Sequence, residues 1–129
     1  MPPTQCRILC IDDHDDTSEM LKLLLANDNY DVKTAATMRE ALALADSQQF
    51  DLYVLDRHLP DGNGLELCAK LHEITPGVPC IFYTGAAYAI HRTQAIAAGA
   101  DAYVAKPDID GLIDSVHKLL AERECEAAT

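Results

Sequence analysis

The chain has 129 residues, 49% of them apolar, and a formal net charge of −11 from 10 basic and 21 acidic side chains. That length fits one sheet covered by helices and leaves no space for a second full domain. The apolar fraction excludes a disordered chain, and the acidic charge without any basic stripe excludes direct binding of nucleic acid or an anionic membrane.

In chain order the pattern alternates between two periods. Residues 7–11, RILCI, form a short continuous apolar run. The segment 17–27 places Leu21, Leu24 and Leu25 on one helical face, with Thr17 or Ser18 as its cap. Residues 30–35 alternate, with Asp31 and Lys33 on one side, as an edge strand does. The segment 37–48 is helical, with Met38, Ala41, Leu42 and Ala45 in register. Residues 51–55, DLYVL, form a second continuous apolar strand. A proline and two glycines follow, then a helix over 64–74 with Leu65, Cys68 and Leu71 inward. Residues 79–84 are a strand, 88–99 a helix stopped by Gly99, and 101–106 a strand. The last helix, 111–122, turns Leu112, Val116, Leu119 and Leu120 inward.

Strands alternating with helical crossovers predict an α/β fold. The order expected is flavodoxin-like, a doubly wound (βα)5 sandwich with a parallel sheet 2-1-3-4-5 and helices on both faces. The whole of 1–129 reads as one domain, with its core at about 6–121 and a short polar tail at 122–129. The five cysteines are Cys6, Cys10, Cys68, Cys80 and Cys125. Their odd count, the absence of C-x-x-C and the lack of an apolar leader predict reduced thiols and a cytoplasmic location. Cys10, Cys68 and Cys80 read as small buried hydrophobes, and Cys125 as an exposed thiol in the tail.

Ligands of an open parallel sheet bind beyond the carboxyl ends of its strands. Strand one is followed by Asp12 and Asp13, strand three by Asp56, strand four by Thr84, and strand five by Lys106 and Pro107. Only the inferred edge strand ends in nothing reactive. Three carboxylates, a hydroxyl and an ammonium therefore share one crevice. Crowded carboxylates repel, and a hard divalent cation with oxygen ligands, magnesium above all, relieves that cost. Lys106 and Thr84 suit an anion such as a phosphoryl group. A carboxylate can itself be the nucleophile that forms an aspartyl phosphate. A single Asp at a strand end is more often a turn former or cap. The company at the other strand ends moves Asp56 to the functional reading.

The set CIDDH (10–14), VLDRHLPDGNG (54–64), YTGAA (83–87) and AYVAKP (102–107) resembles the receiver domain of two-component response regulators. The resemblance covers residues 6 to 121 or so. It implies that Asp56 is the phosphoacceptor and that Asp12, Asp13, Asp56 and the backbone carbonyl of His58 hold Mg2+. It implies that Lys106 pairs with the phosphoryl group, that Thr84 moves to bond it, and that Tyr103 swings inward with Thr84. Pro107 is then expected to follow a cis peptide bond. The partners implied are a histidine kinase or histidine phosphotransfer protein and a downstream protein target. The chain would be a monomer or a phosphorylation-dependent dimer, and a signalling switch rather than an enzyme.

Other readings remain at this stage. The chain could be a receiver that binds partners without being phosphorylated, or a piece of a larger regulator or hybrid kinase. A flavin-binding flavodoxin needs phosphate donors where this chain has DDHDD. A phosphohydrolase with an aspartate nucleophile needs a second Asp where this chain has His58. His58 is expected to tune the lifetime of the phosphoryl group. His14, His72, His91 and His117 lack metal-ligand spacing and read as surface residues. Asp108 after the Lys-Pro pair, and Tyr88, His91 and Arg92 on the fourth helix, depart from the family pattern at its usual partner face.

Overall fold

The computed structural model describes residues 5–85 and 89–121. Tyr88, Cys125 and the tail at 122–129 lie outside them. The strands are β1 (Arg7–Ile11), β2 (Asp31–Ala35), β3 (Leu52–Leu55), β4 (His58–Leu59), β5 (Gly62–Asn63), β6 (Cys80–Thr84) and β7 (Ala102–Ala105). The helices are α1 (Asp15–Asn27), α2 (Met38–Ser47), α3 (Gly64–Ile74), α4 (Ala89–Ala97) and α5 (Ile109–Leu120). The main sheet is parallel with order β2-β1-β3-β6-β7. This is the expected 2-1-3-4-5 order, with β4 and β5 forming a separate two-stranded antiparallel ladder where the sequence suggested only a turn.

The period of two along each strand divides the core into two layers. Leu9, Ile11, Tyr53, Leu55, Cys80 and Phe82 face Ala41 and Ala45 of α2, Leu67, Cys68 and Leu71 of α3, and Ala95 of α4. Ile8, Cys10, Leu52, Val54, Ile81 and Tyr83 face Leu21 and Leu25 of α1 and Leu112, Val116 and Leu120 of α5. Fully burying one such aliphatic side chain stabilises by about 1.5–3 kcal/mol. The three central strands β1, β3 and β6 are buried almost throughout, and β2 is half-exposed at the edge.

Some inward assignments differ in detail. Leu24 is 40% exposed, because α1 buries the stripe Ser18, Leu21 and Leu25. On α3 the buried residue is Leu67, and Leu65 packs only partly. Leu119 is likewise only partly buried on α5. The caps also differ. Helix α1 starts after His14 with no side-chain cap, and Ser18, expected as a cap candidate, is buried with its hydroxyl donating to the Asp12 carbonyl. Thr37, Asn63 and Asp108 cap α2, α3 and α5 by accepting from the backbone N–H groups of Glu40, Glu66 and Gly111. Gly64 is fixed by close approach, since a Cβ there would lie 2.3 Å from the Asp56 carbonyl oxygen.

Cys10, Cys68 and Cys80 are buried free thiols, and burial pushes Cys10 up to about 12, so it is inert. Cys6 is disulfide-bonded, which departs from the expectation of reduced cysteines. Cysteine usage therefore does not assign a reducing compartment. No helix among the described residues is long and apolar enough to cross a membrane.

Candidate functional site

The register of the sheet builds the site. The last paired positions of β1 and β3 are Ile11 and Leu55, so Asp12 and Asp56 emerge side by side one residue later. Their backbones stay in the ladder: Asp12 N–H donates to the Ala35 carbonyl and Asp56 N–H to the Ile11 carbonyl, both at 3.0 Å. Asp12 and Asp56 continue the parity of Cys10 and Val54, and Lys106 that of Val104, so all three start toward the α1/α5 layer. Thr84 continues the parity of Phe82 toward the other layer. The site thus straddles the sheet edge between the two layers.

Asp12, Asp56 and Thr84 are buried polar residues, each 5% exposed or less. Lys106 Nζ donates to Asp12 Oδ2 at 2.7 Å and to Asp56 Oδ2 at 3.1 Å. Thr84 Oγ1 donates to Asp56 Oδ1 at 2.8 Å, and the His58 backbone N–H approaches the same oxygen at 3.5 Å. Burial pushes the Asp56 carboxyl up, but the Thr84 hydroxyl and the Lys106 charge outweigh it and hold Asp56 below the usual carboxylate range. Burial likewise lowers Lys106, and the bonds to Asp12 and Asp56 outweigh it, so its ammonium is held charged above the usual range. Asp56, Thr84 and Lys106 line a cleft of about 650 Å3 together with His14, His58 and Gly85.

Asp13 is the exposed member, with 36% of its side chain accessible. One formal positive charge, Lys106, faces three formal negative charges from Asp12, Asp13 and Asp56. Donor atoms of Asp12, Asp13, His14 and Asp56 lie within 4.8 Å of one another. An excess of two negative charges with clustered carboxylate oxygens fits a divalent cation. Sequence reasoning placed His14 on the surface. Its ring is exposed, yet Nδ1 sits 2.9 Å from Asp12 Oδ1 and 3.3 Å from Asp13 Oδ1. Its position directly after the acidic pair was the signal that could have found it.

Tyr103 lies on β7 beside the site and is buried. It stacks on Phe82 with ring centroids 6.2 Å apart, and the Arg92 guanidinium covers it at 5.3 Å. The Arg92 predicted to alter an outer face thus packs on the aromatic next to Thr84. The Lys106–Pro107 peptide is cis. His58 is exposed on β4, and Asp108 is the α5 cap.

The profile of the response regulator receiver domain matches residues 8–117. Among curated proteins, regulatory protein VanR of Enterococcus faecium is 35% identical over 101 residues, which is 78% of this chain and 43% of VanR. Response regulator ArlR of Staphylococcus aureus is 33% identical over 115 residues, 88% of this chain and 52% of ArlR. The chain therefore spans about half the length of these relatives. The crystal structure of a CheY-like response regulator receiver domain protein from Methanospirillum hungatei superposes with a TM-score of 0.87 at 36% identity, covering 92% of this chain and 96% of that one.

Proposed function

The chain belongs to the response regulator receiver domain family, and from that membership we propose that it takes a phosphoryl group from a phosphohistidine onto Asp56. The observation that carries this reading is the convergence of Lys106 Nζ and Thr84 Oγ1 on the two oxygens of one buried carboxylate. A carboxylate oxygen of Asp56 attacks phosphorus, the P–N bond breaks, and its electron pair stays on the donor imidazole. The product is an acyl phosphate, and most of the catalysis is placement and charge neutralisation.

Asp12, Asp13, Asp56 and the His58 carbonyl are the proposed Mg2+ ligands. When bound, the cation neutralises the carboxylates and the incoming phosphoryl oxygens. Lys106 turns from Asp12 and Asp56 to a phosphoryl oxygen. Thr84 exchanges its bond to Asp56 for another, and Tyr103 moves with it against Phe82 and Arg92. The face of α4, β7 and α5 then changes for a downstream protein. The donor is a histidine kinase or phosphotransfer protein. Because the relatives are about twice as long, the chain serves either alone or as the receiver of a larger regulator.

Intact mass after incubation with magnesium and a small acyl phosphate tests this. The expected result is a gain of one phosphoryl group, lost in Asp56→Asn and abolished by a chelator. No gain in folded protein would leave a partner-binding receiver that is not phosphorylated.

A further inference from the structure

Asp61 stands at the tip of the β4–β5 hairpin and ties this hairpin to α2. Its Oδ1 accepts the Met38 backbone N–H at 2.7 Å, and its Oδ2 accepts that of Arg39 at 2.9 Å. A helix start leaves its first amides without partners inside the helix. At α2 the Thr37 hydroxyl accepts the Glu40 N–H at 3.1 Å, and Asp61 takes the two amides between them. The cap of α2 is thus completed by a different element. The Arg39 and Met38 amides hold the Asp61 carboxyl below the usual carboxylate range, so both bonds are charge-assisted at neutral pH.

The same hairpin grows directly out of the phosphoacceptor strand. Asp56 and Arg57 lead into it, and His58 and Leu59 of β4 pair with Asn63 and Gly62 of β5. The Gly64 N–H closes its base on the Arg57 carbonyl at 2.7 Å. Of residues 58–63 only Leu59 is buried, so apolar packing holds the hairpin at one point. Its second hold is the start of α2. Asp61 binds the helix amides there, and Gly62 is pressed so close that a Cβ would lie 2.8 Å from the Met38 terminal methyl. A short ladder fixed at Leu59 alone is free to pivot about it, because few buried contacts oppose local opening. Fixed at Asp61 as well, it is not, and the His58 carbonyl lies between the two holds and the site.

We propose that Asp61 is a positioning residue: by fixing the β4–β5 hairpin to the start of α2, it holds the His58 carbonyl in place for the divalent cation. Asp61 itself touches neither the cation nor the phosphoryl group. The inference rests on the reading of the pocket as a cation site with the His58 carbonyl among its ligands. It makes the start of α2 a support of that site, through a carboxylate that sequence reasoning passed over as part of a turn.

Magnesium is the probe, added to the full chain with no phosphodonor present. Calorimetric titration gives its affinity. The amide nitrogen of Leu59 shares a peptide bond with the His58 carbonyl, so its NMR shift reports coordination of that carbonyl. Thr37→Ala is the control, since it removes the other side-chain cap of the same helix and leaves the hairpin tie intact. Magnesium should shift the Leu59 nitrogen in wild type and in Thr37→Ala, with the same affinity in both. In Asp61→Ala the affinity should fall by about tenfold, the scale on which groups behind a metal ligand act, and the Leu59 shift should be lost. Asp61→Asn keeps one acceptor oxygen and should fall between, which carries the test if Asp61→Ala does not fold. Equal losses in the Asp61 and Thr37 variants would reduce Asp61 to a helix cap, and an unchanged affinity in the Asp61 variants would end its positioning role; both leave the cation site standing. Magnesium that binds wild type without moving Leu59 removes the His58 carbonyl from the site, and the role of Asp61 with it. A wild type that binds no magnesium overturns the cation site and this inference together.

Discussion

The two ends of the central sheet both carry aspartates, and they use them differently. At the amino end, Asp51 Oδ2 accepts the Arg7 backbone N–H at 2.8 Å and Asp101 Oδ2 accepts that of Cys80 at 3.0 Å. Asp31 pairs with the Arg7 guanidinium at 3.1 Å, and the same guanidinium donates to Gln48 and the Gln49 carbonyl. Each carboxylate there has a donor of its own. At the carboxyl end, Asp12 and Asp56 share one ammonium, with Asp13 clustered beside them. Clefts of about 550 Å3 and about 650 Å3 open at the two ends, so size does not separate them. What separates them is clustering, since carboxylate oxygens of Asp12, Asp13 and Asp56 lie within 4.8 Å of one another at the carboxyl end. A strand-end Asp that completes a ladder is structural, and one crowded by other carboxylates beside a buried ammonium is poised for chemistry.

Substitutions at the two ends should therefore part company. The largest expected difference is functional. Asp56→Asn should abolish phosphoryl uptake from an acyl phosphate, while Asp51→Asn should leave it intact, both read by intact mass. Uptake lost equally in both would erase the distinction.

Next in size is stability at the amino end. Asp101→Ala orphans the N–H of fully buried Cys80. It should cost about 1–3 kcal/mol in denaturant unfolding, with phosphoryl uptake unchanged. Thr84→Val keeps the volume and removes a donor to Asp56, for a loss of about 1–2 kcal/mol at neutral pH. The folded Asp56 lies below its ordinary value of 3.8, so its contribution is present above that value and lost as pH falls through the folded pKa. The gap between Thr84→Val and wild type should hold above pH 3.8 and narrow below it, as followed by unfolding at stepped pH. A gap constant to the lowest pH would mean the hydroxyl acts through packing alone.

The smallest effect has the opposite sign. Asp13→Asn relieves repulsion from Asp12 and Asp56, so it should stabilise the metal-free protein by on the order of 1 kcal/mol. It should also remove the rise in Tm on adding divalent cation. A loss of stability instead would show that the carboxyl end, like the amino end, has no charge in excess.

Much of this was legible along the chain. Strand ends at Asp12, Asp56, Thr84 and Lys106 follow from continuous apolar runs that stop at a polar residue. The half-exposed pattern at 31–35 located the edge strand. The small ladder of β4 and β5 was not legible, because two-residue strands carry no period. Nor was the burial of Leu67 instead of Leu65, since both are apolar on different sides of α3 and only its packing on the sheet chooses between them.

The sequence by itself determined the alternation of strands and helices, the strand order, and the residues that end each strand. Those depend on local period and on which runs are apolar on both faces. Tertiary structure alone decided that Lys106 bridges Asp12 and Asp56, that Arg92 covers Tyr103, and that His14 turns over the acidic pocket. Each of these rests on the register between strands or the angle of a helix start. A distance of a few ångströms between residues far apart in the chain is set by packing, which no stretch of sequence contains.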